Sequence, residues 1–121
     1  MSLENIDFCK FEEIAPNIIE TTVDKGVEVD HRKISMVIRE LKNKYSSPFA
    51  ILSNRINSYS HTHESMAFLA GLDNLYAYAI LVHQRVTHSC SIVQTYYQKN
   101  AKLFYNREKA IAWLKKQQRN T

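Results

Sequence analysis

The sequence predicts an α/β domain: a mixed, mainly parallel five-stranded sheet with an N-terminal β-hairpin and four helices, in the order β-β-α-β-α-β-α-β-α. Three observations carry this. Residues 49–53 (FAILS) and 75–82 (LYAYAILV) are continuous apolar runs, as expected of parallel strands buried on both faces. They alternate with stretches of helical period, which calls for right-handed crossovers. The chain then closes on LFYNREKAIAWLKK (103–116), an apolar run that meets Asn106 and continues as a helix.

The elements follow in order. Residues 8–11 and 18–23 are rich in β-branched and aromatic side chains and read as two strands. Ala15, Pro16 and Asn17 lie in the turn between them, which makes a hairpin. Asp24-Lys25-Gly26 ends the second strand, glycine being free to take positive φ. Asp30 is placed to cap the first helix, and Val29 and Ile34 are spaced for a hydrophobic staple. Ile34, Val37, Ile38, Leu41 and Tyr45 form a single apolar face. Ser46-Ser47-Pro48 stops that helix, because proline disfavours helical geometry in the residue before it.

After the strand at 49–53 a polar loop is expected over 54–62. A short helix with Met66, Leu69 and Ala70 follows, ended by Gly71. Strand 75–82 is the strongest and is expected at the sheet centre. His83 to Arg85 turn into a longer helix with Val86, Cys90, Val93 and Tyr97 on its core face, closed by residues 99–102. The last strand, 103–105, feeds a helix capped by Asn106. Glu108 suits the positive end of that helix dipole and Lys115-Lys116 the negative end. Trp113 is expected to pack this helix against the sheet, near Phe104 or the first helix.

Length and composition bound the class. The 121 residues fit one domain, 1–121, able to bury a core without staples. Its 45% hydrophobic and 23% charged residues are those of an ordinary globular protein. The longest apolar run has eight residues where a membrane span needs about 20. The first residues show no basic-then-apolar leader, and the two cysteines, Cys9 and Cys90, have no metal-ligand spacing. A cytoplasmic protein with reduced thiols is the expectation. The net charge of +4 hides an asymmetry: residues 1–30 sum to −6 and residues 31–121 to +10. Such a split fits an acidic partner or nucleic acid. It fits better an acidic hairpin lying over a basic neighbour.

The pattern resembles the SpoIIAA-like (STAS-like) domain family, over roughly residues 6–117. The resemblance rests on the element order, on FAILS leading to a polar loop, on LYAYAILV followed by a helix, and on the ending. Small, uncharacterised bacterial members of that family commonly close with a Phe, an acidic residue and an Ala-x-x-Trp-Leu helix. Phe104, Glu108, Ala110, Trp113 and Leu114 reproduce that ending. The resemblance implies a domain without catalytic residues that binds proteins or sometimes a small ligand. It also implies a phosphorylation position where the loop enters the second helix. Ser60 stands about where the family's Asp would be, and Thr62 about where the modified hydroxyl would be. Residues 58–64 hold neither Asp nor Gly. A helix N-cap is the simpler role for Thr62 or Ser60.

No constellation for catalysis or metal binding emerges. His61 and His63 offer two ligands, His83 and His88 lie elsewhere, and zinc wants three or four that converge. Cys90 falls on an apolar stripe, as a packed thiol does. Gly26 and Gly71 stand alone, which excludes a glycine-rich phosphate loop. Tyr96, Tyr97, Lys99, Lys102, Tyr105 and Arg107 interleave aromatics with cations, as a single-strand binder can, but no nucleic-acid motif accompanies them. The expectation is a non-enzyme with no cofactor or metal, binding another protein or a second copy through helices or the hairpin face. A small apolar-ligand or lipid carrier is the alternative, and nucleic-acid binding a more distant one. In open α/β sheets ligands gather beyond the carboxyl ends of strands. The candidate surface is therefore Asn54, Arg55, Asn57, Tyr59, Ser60, His61, Thr62 and His63, with His83, Gln84 and Arg85 on the neighbouring loop.

Overall fold

The computed structural model describes residues 5–83 and 85–120, the stretch 85–90 by its backbone only. Strands β1 (Cys9–Ala15) and β2 (Ile18–Val23) form the antiparallel hairpin. Strands β4 (Phe49–Arg55), β6 (Leu75–Val82) and β7 (Ala101–Phe104) continue the sheet in parallel, giving the order β1-β2-β4-β6-β7. The hairpin turn needs a left-handed residue, and Asn17 supplies it with φ 62°, asparagine being tolerant of that region. Gly26 does the same at φ 79° after the second strand.

Among the described residues four helices pack on the sheet. Helix α1 (His31–Lys44) begins where the Asp30 side chain accepts from the Lys33 amide at 2.9 Å. Helix α2 (His63–Ala70) is capped by Thr62, whose hydroxyl accepts from the Ser65 amide at 3.1 Å. Helix α3 spans Arg85–Tyr97. Helix α4 (Arg107–Arg119) is capped by Asn106, which accepts from the Lys109 amide at 2.9 Å. None of the described helices is long and apolar enough to cross a membrane.

Strand alternation divides the core in two. On one face Ile19, Val23, Ile51, Tyr78 and Ile80 pack with Ile34, Val37, Ile38 and Leu41 of α1 and Leu69 of α2. Helix α3 continues this layer, touching α2, β6 and β7. On the other face Ile18, Ala50, Leu52, Ala77, Ala79 and Leu81 pack with Ala110 and Leu114 of α4. The three alanines let α4 lie close to the strands. The charge asymmetry is met within the chain at this side, where Glu20 of β2 pairs with Arg107 at the start of α4.

Several expectations are corrected. The 54–62 stretch is not all loop: Asn54 and Arg55 extend β4, and β5 (Ser60–His61) pairs in parallel with β3 (Glu28–Val29) as a second, two-stranded sheet. Strands of two residues carry no readable period. The first strand starts at Cys9 and runs on to Ala15. Strand β4, not β6, is the middle of the five. Residues Ala101 and Lys102 belong to β7 rather than to the end of α3, while Tyr105 lies past the strand.

The α3 face is also different. Among its described side chains Ser91 and Gln94 are buried, as is Gln98 just past its end, and Val93, expected in the core, is 41% exposed. The Val86 and Cys90 side chains lie outside the described residues. Trp113 is only half-buried, tilted against Phe104 with ring centroids 5.6 Å apart and nowhere near α1. The Phe104 contact is as expected, but the burial expected of this ring is only partial. A half-exposed indole should therefore cost less on truncation than a core one: Trp113→Ala should lower stability by about 1–2 kcal/mol, against about 3–5 for a fully buried Trp. Urea melts of the two proteins check this, and a loss at the core value would place the ring inside.

Candidate functional site

The alternation of β4 sorts the candidate residues. Ser53 and Arg55 point to the α1–α3 side, and Asn54 points to the α4 side. On the α4 side Asn54 donates to Glu20 at 2.8 Å and accepts from the Ile56 amide at 3.2 Å. The acceptor role of Glu20 turns the Asn54 carbonyl oxygen toward His83, 2.7 Å away, so His83 Nε2 carries the proton. Arg107, Glu20, Asn54 and His83 thus form one chain of polar contacts across the tops of the strands.

On the other side Arg55 is the central group. It is 6% exposed, a depth that arginine reaches only when its donors are met. Its Nε donates to Ser53 Oγ at 2.7 Å, and one terminal nitrogen donates to the Gln94 side-chain oxygen and to the Tyr78 hydroxyl at 3.4 Å. Its guanidinium also lies over the Tyr59 ring, 4.9 Å from the centroid, a cation–π contact that holds a desolvated charge. Ser53 Oγ and Tyr59 Oη are 3.0 Å apart. Burial pushes the Tyr59 phenol well above its ordinary range.

The small sheet β3–β5 sets the wall beside this network. Gly26 donates to Ser58 at 2.7 Å, Ser60 to Val27 at 3.0 Å and Thr62 to Val29 at 3.0 Å, all through backbone groups. These bonds pin residues 58–62 over the core. The Ser65 hydroxyl donates to the Thr62 carbonyl at 3.0 Å, leaving its oxygen to accept from His61 Nδ1 at 2.9 Å. Burial first, and then the Arg55 charge, push the His61 pKa down to about 3. His61 is neutral at every physiological pH. His63 is exposed at the start of α2 and hydrogen-bonds the Tyr97 hydroxyl.

Together these groups line a cleft of about 370 Å³ beyond the carboxyl end of β4. Its walls are Arg55, Tyr59, Ser60, His61, His63, Met66, Val93 and Gln94. Tyr59 and His61 separate it from a second, mainly apolar cavity of about 20 Å³, room for one water, against Cys9, Val29, Ile34 and Leu69. Cys9 beside that cavity is buried, and burial pushes its thiol up to about 12.

Five of the sequence candidates therefore converge: Arg55, Tyr59, Ser60, His61 and His63. Asn54 and His83 meet each other on the opposite side of β4. Asn57 donates to the Val23 carbonyl at 3.1 Å, a loop-fixing role. Thr62 is the α2 cap. Gln84 and the Arg85 side chain lie outside the described residues, as does the His88 side chain. The cleft also holds Met66, Val93 and Gln94, which the sequence did not single out for it. Gln94 is 2% exposed and its side-chain nitrogen has no hydrogen-bond partner. Glutamine at a helical interior position carries no signal of such a place. Among the described residues, no three His, Cys, Asp or Glu side chains group closely enough to hold a metal.

No family model matches the chain, and no curated protein matches it. Among solved structures the chain is similar to an uncharacterised protein of the DUF3478 family from Shewanella loihica PV-4, described as having a SpoIIAA-like fold. The likeness covers 94% of this chain and 98% of that one, with a TM-score of 0.60 and 15% identity. The fold is SpoIIAA-like, as the resemblance implied. An identity of 15% carries the fold and no residue roles, so the cleft stands on its own geometry.

Proposed function

We propose that this chain is a non-enzymatic binding domain that works by protein–protein contact through the outer face of α3. One observation carries the reading. Ile92, Val93 and Tyr96 are 40%, 41% and 82% exposed and share one side of the helix. Contiguous apolar exposure on a small protein marks an interaction surface more often than chance placement does. Residues 91–98 (SIVQTYYQ) contain no charged side chain, and interface centres are poor in charge and rich in tyrosine. Burial holds the Cys9 thiol protonated, which suits it to packing rather than to nucleophilic attack.

The occupant that fits such a face is the same face of a second copy. A two-fold interface places each residue opposite its own surroundings, and the stretch 91–98, which carries no charge, meets its copy without repulsion. Sedimentation velocity should show a concentration-dependent dimer for the natural chain and a monomer for Tyr96→Asp. A photo-crosslinking residue at position 96 should give one discrete adduct in producing cells, where the exposed α4 position 112 gives none. A strict monomer at high concentration, with no adduct particular to position 96, would overturn the reading.

A further inference from the structure

The cleft itself points to a second site, which shares Val93 with the outer face of α3 and is otherwise built from other residues. Arg55 donates to the Gln94 side-chain oxygen, and this fixes which end of the amide faces the guanidinium. The amide nitrogen is then the end left over. It is buried, it has no hydrogen-bond partner, and its side chain lines the cleft. A buried N–H without an acceptor is costly, and an arriving acceptor atom recovers that cost. The electrostatics agree. Among the described residues the lining holds one guanidinium and no acid, and His61 adds no charge at neutral pH because burial and Arg55 keep it unprotonated. Tyr59, Met66 and Val93 supply apolar wall, and the volume lies at the small end of the range for organic ligands.

We propose that the cleft binds a small organic monocarboxylate, one oxygen accepting from the Gln94 amide, the charge facing Arg55 and a short apolar body lying along Met66 and Val93. A charge-assisted hydrogen bond to a carboxylate is roughly twice as strong as one to a neutral carbonyl, so the site discriminates against uncharged isosteres. A phosphate group, with its greater charge, would ask for further cations or a cluster of backbone N–H groups.

The test is an NMR titration of the full chain with hexanoate, hexanamide and hexylamine. Hexanoate should move the backbone amides of Ser60, His61, Met66 and Val93 and bind about tenfold more tightly than hexanamide, with hexylamine not binding. Gln94→Met should weaken hexanoate by a similar factor. Ser60→Asp, a change at an exposed rim position away from the apolar body, should weaken hexanoate while leaving hexanamide unchanged. That second variant keeps the test decisive if Gln94→Met does not fold. Three results would each overturn the proposal: no cleft shifts at millimolar hexanoate, hexanamide binding as tightly as hexanoate, or both variants binding hexanoate like the natural chain. None of these bears on dimerisation through Tyr96, which is read separately by sedimentation.

Discussion

Leu114→Ala should lower the unfolding free energy by about 2–5 kcal/mol, a large part of the roughly 5–15 that a domain this size possesses. Leu114 is fully buried, and α4 is the helix that packs on the second face of the sheet. Ala50, Ala77 and Ala79 beneath it are already small. The strands therefore have little side chain with which to fill the space left by a deleted isobutyl group, and the site should relax poorly. At a slope of about 2 kcal/mol/M the urea midpoint should fall by about 1–2 M with the slope unchanged. A midpoint equal to that of the natural chain would mean that α4 is not anchored in this core. The contrast with Trp113 makes the point about reading burial. The larger residue, with its ring partly in water, should matter less than the leucine that follows it.

What could be read from the residues was what is decided locally. Asp30, Thr62 and Asn106 cap their helices because a short polar side chain next to free amides acts within one turn. The α1 face was legible because four of its apolar positions meet one apolar sheet face. The helix at 85–97 was legible as a helix but not in its orientation. Its apolar period points Val93 inward, yet Gln94 is inside, because Arg55 at the end of β4 needs an acceptor there. That need is created by a residue 39 positions away, and no local pattern reports it. The same contact built the cleft. Arg55, Tyr59, Ser60, His61 and His63 could be gathered from the rule that loops leaving strand ends form sites, whereas Gln94, Met66 and Val93 could not. The β3–β5 pair escaped for another reason. Two-residue strands are specified by the backbone bonds that close them, from Gly26 to Thr62, and not by side-chain alternation.

His61 should give the fold a marked sensitivity to acid. Its pKa is about 3 in the folded chain against an ordinary 6.5. The first cause is burial and the second is the Arg55 charge. Between those values the unfolded chain binds a proton that the folded chain refuses, so stability falls as the pH falls. The contribution is fully present above about pH 6.5, is lost progressively below it, and is exhausted near pH 3. One pH unit inside this window is worth about 1.4 kcal/mol, so lowering the pH from 6.5 to 4.5 should remove about 2–3 kcal/mol through this group. Other groups also respond to acid. Asp30, for example, is held below the usual carboxylate range by the Lys33 amide, and its benefit too is lost at low pH. The measurement should therefore be a difference. In His61→Gln the side-chain amide can still donate toward Ser65 but does not titrate. The stability gap between the natural chain and this variant should shrink by about 2–3 kcal/mol from pH 7 to pH 4.5 in parallel urea melts. A gap that stays constant over that range would mean that His61 accepts a proton as readily in the folded chain as in the unfolded one, and that the wall between the cleft and the inner cavity is wet.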